Sequence, residues 1–260
     1  MLLDGRVCIV SGVGPGIGRA IAEAVIREGG AAVIAARSDA YLASVSAELA
    51  ETGGRVVAQP TDITDEQACQ DLVGCALESF GRVDVLLNNA AISSPYQALE
   101  GGDLDVWRRM YEVNLVGTLQ MTRAALPVMR DQQAGSIVFI NSLIIRKPRP
   151  NYGPYAASKA ALLTSAQVLA REVGPAGIRV NSVCPGWVWG PTVVEGYAAR
   201  TARARGITVD DVYAELAEAT ALHQLPTPEA CADAAVFLAS DMARAITGQS
   251  LDVNCGEVFV

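Results

Sequence analysis

The sequence predicts a doubly wound α/β fold, a parallel sheet of about seven strands with helices on both faces. Two observations carry that prediction. Short β-branched runs alternate with longer Ala-rich helical patterns along the whole of the 260 residues, the rhythm of a sheet whose connections are helices. The strand segments are also apolar nearly throughout, as strands covered on both faces must be. Right-handed crossovers then wind such a chain to both sides of the sheet.

Taken in order, the first strand is expected over 6–11 (RVCIVS), followed by a helix near 17–28. A second strand at 32–36 (AVIAA) leads into a helix near 39–52, and a third at 55–60 (RVVAQP) into a helix near 65–79. The fourth, 83–89 (VDVLLNN), precedes a helical pattern over 104–130, and the fifth, 136–142 (SIVFINS), precedes one over 156–173. The sixth, 178–184 (IRVNSVC), and the seventh, 250–254 (SLDVN), enclose a helix at 228–239. Between Cys184 and Pro228 the connection exceeds forty residues, where a few are usual, and such length marks a binding region. A substrate lid is therefore expected at approximately 187–226, with helical pieces near 192–205 and 208–221, the second opening on TVDD, a cap with acids in its first turn. No linker, repeat or low-complexity segment divides the chain, so residues 1–260 are expected to form a single domain.

Composition narrows the function classes. Hydrophobic residues make up 51% and aromatics only 5%, with 24 glycines, which suits tight packing of helices on a sheet. A net charge of −8 argues against nucleic acid or an anionic membrane as partner and leaves small ligands. The six cysteines are scattered without zinc or disulfide spacing, so neither a metal nor a disulfide framework is expected. The opening MLLDGRV has no basic, apolar leader pattern, and no apolar run reaches the roughly 20 residues of a membrane span; a cytoplasmic protein is expected.

Between the first strand and first helix lies SGVGPGIG, with Gly12, Gly14, Gly16 and Gly18 at alternate positions. This is the setting in which a pyrophosphate sits on a helix N-terminus. The spacing is G-x-x-x-G-x-G rather than G-x-G-x-x-G, since position 17 is Ile17, and no Lys-Ser or Lys-Thr follows, which excludes a phosphate-binding P-loop. Read alone, the run has a second, lesser reading as a tight turn that brings helix and strand together.

A second constellation is SLIIRKPRPNYGPYAASK, Ser142 to Lys159. Tyr155 and Lys159 are four apart at the start of a helix and share one face. Ser142 closes a strand, at the carboxyl edge of the sheet where ligands bind. A phenol with a pKa near 10 is a poor acid or base at neutral pH unless a neighbouring cation favours its phenolate, and Lys159 is placed to supply one. Ser142 would hydrogen-bond the oxygen that Tyr155 protonates. Such pairs also occur on helices that do no chemistry, with the Tyr packed and the Lys solvated.

With both constellations in place, the chain resembles the short-chain dehydrogenase/reductase family, in its compact form of roughly 250 residues. The resemblance runs along the whole chain: Gly12-x-x-x-Gly16-x-Gly18, Asp62 in PTDIT, NNAA at 88–91, Asn114 in VNLVG, Ser142, Tyr155-x-x-x-Lys159, RVNSVCPG at 179–186 and TGQSLDVNCG at 247–256. It implies a Rossmann fold and NAD(P)-dependent hydride transfer, with Asn114, Ser142, Tyr155 and Lys159 catalytic. Tyr155 would be the acid in ketone reduction and the base in alcohol oxidation. Lys159 would lower its pKa and hold the nicotinamide ribose, and Asn114 would anchor a water relaying protons to Lys159. The cofactor would lie on the loop Gly12, Gly14, Gly16, Ile17, Gly18, with Asp62 and Ile63 at the adenine, Asn88 and Ala90 at the floor, and Pro185, Gly186 and Val188 at the carboxamide.

The chain departs from the family pattern in three places. Ala91 replaces a Gly, Gly190 stands where a Thr would contact the carboxamide, a contact that passes to Thr192 or is lost, and Cys255 takes the second Gly of VNGG. His223, the one histidine, is expected to be a surface or packing residue.

The cofactor choice rests on the end of the second strand, where an acid accepts the ribose hydroxyls of NAD and an Arg accommodates the 2′-phosphate of NADP. Eighteen residues after Gly18 stands Ala36, followed by Arg37. NADP(H) is expected over NAD(H), on that one charge, since Pro15 adds no second basic residue to the loop.

The substrate is expected to be a hydrophobic ketone or its secondary alcohol, because the lid brings Trp187, Trp189, Tyr197 and Tyr213. A 3-oxoacyl thioester is the alternative. The cluster Arg146, Lys147 and Arg149 is either a receiver for a carboxylate or phosphate or a solvated loop. A non-catalytic NADP-binding redox sensor on the same fold would lack the Tyr-Lys pair that this chain keeps, and a sugar-nucleotide epimerase would need other glycine spacing and a further C-terminal domain. Helices 104–130 and 156–173 carry apolar residues on more than one face, as in ASKAALLTSAQVLA, and a homotetramer through them and the last strand is expected.

Overall fold

The computed structural model describes the whole chain, Met1–Val260. Seven parallel strands form one sheet: β1 (Val7–Ser11), β2 (Ala31–Ala36), β3 (Arg55–Pro60), β4 (Val85–Asn88), β5 (Gly135–Ile140), β6 (Ile178–Pro185) and β7 (Ser250–Val253). Their order is β3-β2-β1-β4-β5-β6-β7. The chain winds outward from β1 to β3, then returns to the other side of β1 for β4. A crevice opens where the direction reverses, at the carboxyl ends of β1 and β4, and that is the ligand position in an open α/β sheet.

The strands bury both faces because both faces are covered. On one side α1 (Ile17–Arg27), α2 (Asp39–Glu51) and, near the end of the chain, Pro228–Ala239 pack over Cys8, Val10, Ala32, Ile34, Val85 and Leu87. On the other, α3 (Glu66–Phe80), Thr118–Gln132 and Gly153–Val173 pack over Ile9, Val33, Leu86, Ile137 and Phe139. Phe139 is completely buried, and its truncation to Ala would cost about 3–5 kcal/mol.

Predicted and observed elements agree within a few residues, with two instructive differences. The expected helix 104–130 is α4 (Leu104–Tyr111), a wider π-type turn at Glu112–Gly117, and α5 (Thr118–Gln132). That turn inserts extra backbone where Gly117 meets Ile63, whose side chain comes within 3.0 Å of where a Cβ at Gly117 would lie. The second difference is α6 (Gly153–Val173), which starts three residues before the expected 156, with Pro154 in its first turn, where the missing N–H costs nothing.

The segment 187–226, where a lid is expected, contains a π-type turn at Thr192–Ala198 running into α7 (Ala199–Arg205), then α8 (Val209–Glu218); beyond it comes α9 (Pro228–Ala239). Thr208 and Asp211 form a reciprocal capping box at the start of α8. No helix is long and apolar enough to cross a membrane.

Candidate active site

One cavity of about 1170 Å³ runs along the carboxyl ends of the strands, from the glycine loop to the lid. Gly12, Gly14, Gly16, Ile17, Gly18, Arg37, Asp62, Ile63, Ala90, Ser142, Tyr155, Lys159, Pro185, Gly186, Val188 and Thr192 all line it. Residues far apart in sequence thus meet because every strand ends at the same edge.

The four glycines divide into two pairs. At Gly12 a Cβ would lie 2.3 Å from the Ala90 nitrogen, and at Gly18 it would lie 2.2 Å from the Gly12 carbonyl oxygen. These two let strand, helix and the β4 loop close on one another. Gly14 and Gly16 have nothing within 4 Å of an added Cβ; Gly14 is therefore not needed small by the protein, whereas Gly16, at φ 111, is held to glycine by its backbone. They face the cavity, and the next backbone, Gly16 with φ 111, opens helix α1 with no side chain capping it. An uncapped helix N-terminus beside open glycines is what a dinucleotide pyrophosphate requires. The residues fit that group.

Around this loop the remaining positions fall into place. Arg37 is exposed at the end of β2 on the cavity rim. Asp62 accepts the Thr64 amide at 3.0 Å and its hydroxyl at 2.8 Å, and these bonds hold its carboxyl below the usual range. Asn88 does not line the cavity: its side chain turns under the sheet and donates to Thr122 Oγ1 at 3.1 Å. Its neighbour Asn89 takes the wall position and donates to the Gly12 carbonyl at 2.7 Å. Sequence reading missed Asn89, although the alternation along β4 pointed to it, since Asn88 shares a face with Ser11 in register.

At the carboxyl end of β5 the chain turns at Ser142, whose hydroxyl accepts the Ile144 amide at 3.3 Å. Tyr155 and Lys159 come from the first turns of α6. Lys159 is buried and donates its Nζ to the Ile140 carbonyl at 2.8 Å, and that nitrogen lies 5.9 Å from the centre of the Tyr155 ring. Tyr155 keeps an accessible edge in the cavity, yet the packing around it pushes its phenol up to about 12, with the Ser142 hydrogen bond as the main opposing effect. The same burial takes Lys159 down to about 8. Desolvation therefore dominates both groups.

Asn114 is completely buried in the π-type turn and lies off the cavity wall. Its amide pairs both ways with the Ile92 backbone at 2.8 Å and donates to Ser158 Oγ at 3.0 Å. It ties the β4 loop to α6, next to the helical turn that carries Lys159.

Past β6, Gly190 is explained by packing: a Cβ there would lie 2.9 Å from the Pro228 ring. A threonine has no room, and Thr192 is the hydroxyl that reaches the cavity. Cys255 adopts φ 52, a left-handed conformation that favours glycine, and burial raises its thiol, which argues against a reactive cysteine. His223 is exposed beside Glu218, at the surface.

The basic cluster separates. Arg146 is spent on Asp252, both of whose oxygens are 2.9 Å from its Nε, and on Ser250. Lys147 and Arg149 reach Glu257 at 3.3 and 2.8 Å. Glu257 and Arg200, which the sequence did not single out, both line the cavity.

Known proteins resemble this chain over nearly its full length. The profile of a family described as enoyl-(acyl carrier protein) reductase matches residues 12–257. An L-rhamnose 1-dehydrogenase (NAD(P)(+)) of Sphingomonas is 37% identical, covering 98% of this chain and 97% of that protein. A 3-oxoacyl-(acyl-carrier-protein) reductase of Thermotoga maritima is 31% identical over the whole of both chains. Among solved structures, an NAD+-bound xylitol dehydrogenase superposes with a TM-score of 0.91 at 25% identity, covering 98% of this chain and 100% of the other.

Proposed function

The chain belongs to the short-chain dehydrogenase/reductase family of NAD(P)-dependent oxidoreductases, and from that premise we propose that it interconverts a predominantly hydrophobic ketone and its secondary alcohol, with Tyr155 as acid and base. The observation that carries this reading is the meeting of Tyr155, Ser142 and Lys159 on one wall of the cavity whose other end is the open glycine loop. The nicotinamide cofactor, when bound, supplies or accepts the hydride.

The protein's part is orientation and proton transfer. Ser142, whose lone pair already takes the Ile144 amide, would offer its hydroxyl proton to the substrate oxygen. Tyr155 passes its proton to that oxygen in reduction and recovers it in oxidation. Lys159, held by the Ile140 carbonyl, stands beside the phenol and would hold the ribose of a bound nicotinamide cofactor. Asn114 is the proposed anchor for a water that resupplies Lys159, and it also fixes the Ile92 loop and α6 through its side chain. Gly12, Gly14, Gly16, Ile17 and Gly18 would hold the pyrophosphate. Asp62 and Ile63 would meet the adenine, Asn89 and Ala90 the floor, and Pro185, Gly186 and Val188, with Thr192, the carboxamide.

For the cofactor we propose NADP(H) ahead of NAD(H), because Arg37 stands on the rim without an ion-pair partner and no acid occupies the end of β2. The six unpaired thiols suit a reducing cytoplasm. A 3-oxoacyl thioester is the second reading, favoured by the acyl-carrier reductases among the relatives. Oxidation of NADPH and NADH with cyclic, aromatic and 3-oxoacyl ketones tests these choices. NADPH should give at least about 10-fold higher kcat/KM, reversing in Arg37→Asp; an unchanged preference defeats the cofactor assignment.

A further inference from the structure

We propose that the substrate is an organic acid, whose ketone or alcohol carbon meets Tyr155 while its carboxylate is received by Arg200 and Arg149. This rests on the oxidoreductase reading above and narrows its substrate class. The chain carries a net charge of −8, yet the substrate end of the cavity is lined by Lys147, Arg149 and Arg200 against the one carboxylate of Glu257. A cavity of opposite sign to its protein selects for an anion.

The three cations are not equivalent. The Glu257 side chain is 4% exposed and uses a single oxygen, Oε1, for both Lys147 and Arg149, while its Oε2 is buried without a partner beside Gly186. It offsets no more than one of the two charges. Arg149 is then fixed in place, its guanidinium carbon 4.2 Å from the centre of the Trp187 ring.

Arg200 makes no ion pair. Its guanidinium carbon lies 5.6 Å from the centre of the Tyr96 ring, and Tyr96 stacks on Tyr152 at 4.4 Å. Tyr152 is three residues before Tyr155, and the three tyrosines are close enough that Tyr96 and Tyr152 both disfavour the Tyr155 phenolate. Arg200 thus stands two rings from the reacting phenol. An arginine held over an aromatic face keeps the edge of its planar fork free, and that edge matches both oxygens of a carboxylate. Tyr96 and Tyr152 on one side, with Trp187 against Tyr197 at 4.4 Å, supply the apolar walls for the rest of the molecule.

Two measurements test this, one of them without turnover. The full-length protein, Arg200→Leu and Arg200→Lys are titrated calorimetrically with benzoate and with benzamide. Benzoate should bind at least about 10-fold more tightly than benzamide; Arg200→Leu should lose roughly that factor for benzoate alone, and Arg200→Lys should recover part of it. Equal affinities in the wild type, or an equal loss for both ligands, would overturn the proposal.

In turnover, 4-acetylbenzoate is compared with 4-acetylbenzamide using NADPH. Arg200→Leu should raise KM for the acid about 10-fold with kcat within roughly two-fold, and leave the amide unchanged. An amide reduced as well as the acid, or a 3-oxoacyl thioester preferred to every acid, sinks the carboxylate assignment while the oxidoreductase reading stands. Selective benzoate binding without turnover of any ketone or alcohol would overturn both that reading and the substrate assignment, and leave only a carboxylate contact at Arg200.

Discussion

Tyr155 and Lys159 sit one helical turn apart in the same dense wall, and burial moves their proton affinities in opposite directions. Lys159 has a folded pKa of about 8 against an ordinary 10.5, so between those values the unfolded chain binds more protons and stability rises with pH. Tyr155 has a folded pKa of about 12 against 10; its contribution is intact below pH 10 and is lost as pH climbs through 12. Urea unfolding of the wild type against Lys159→Met should therefore move in favour of the wild type between pH 8 and 10.5, by up to about 1.4 kcal/mol per unit. Against Tyr155→Phe it should move the other way above pH 10. A pH-independent difference in either pair would contradict the burial argument. The Tyr-x-x-x-Lys spacing made the shared helix face legible in the sequence. It could not show that desolvation, which depends on everything packed around the pair, sets both proton affinities in the open site.

The glycine loop is an element whose spacing announced its purpose but whose internal division of labour was hidden. Gly12 and Gly18 are small for the sake of Ala90, Asn89 and the loop itself, contacts that arise only when β4 lies beside β1. Gly14 is open toward a ligand, and Gly16 answers to its own φ of 111. Gly14→Ala should leave the melting temperature within roughly one degree of wild type while weakening NADPH binding by about 10-fold or more. Gly12→Ala should destabilise the fold by at least about 2 kcal/mol, as the φ of 82 and the 2.3 Å approach demand. Differential scanning fluorimetry with and without NADPH reads both. A Gly14→Ala variant that melts early but binds normally would reverse the assignment. The π-type turn at Glu112–Gly117 was not legible, because helical periodicity over 104–130 continues through it and the tight approach of Gly117 to Ile63 appears only in the folded chain. Asn88 was misjudged as a floor residue for a related reason: its orientation follows from strand register, not from the motif.

Across the whole molecule, the alternation of strands and helices was enough to anticipate a parallel sheet and the reversal that opens its crevice. Length alone marked 187–226 as an expected lid; where its aromatics and cations lie was not legible, since Arg149, Trp187, Arg200 and Glu257 line one cavity from four separate segments. Leu119, Leu126, Ala161, Val168 and Leu169 border a groove between α5 and α6, with Val168 51% exposed. We propose that another copy covers it in a homotetramer. Light scattering should give four chains per particle, and Val168→Glu should lower that number; a monomeric wild type would refute it. The central claim is that Tyr155 moves the proton that accompanies hydride transfer. Its most direct test is stopped-flow oxidation of bound NADPH by a ketone in the wild type and in Tyr155→Phe, with the NADPH dissociation constant measured for both. The account predicts a rate lowered by about 10²–10⁴ with NADPH affinity within roughly three-fold of wild type. A Tyr155→Phe variant that transfers hydride at the wild-type rate would contradict it.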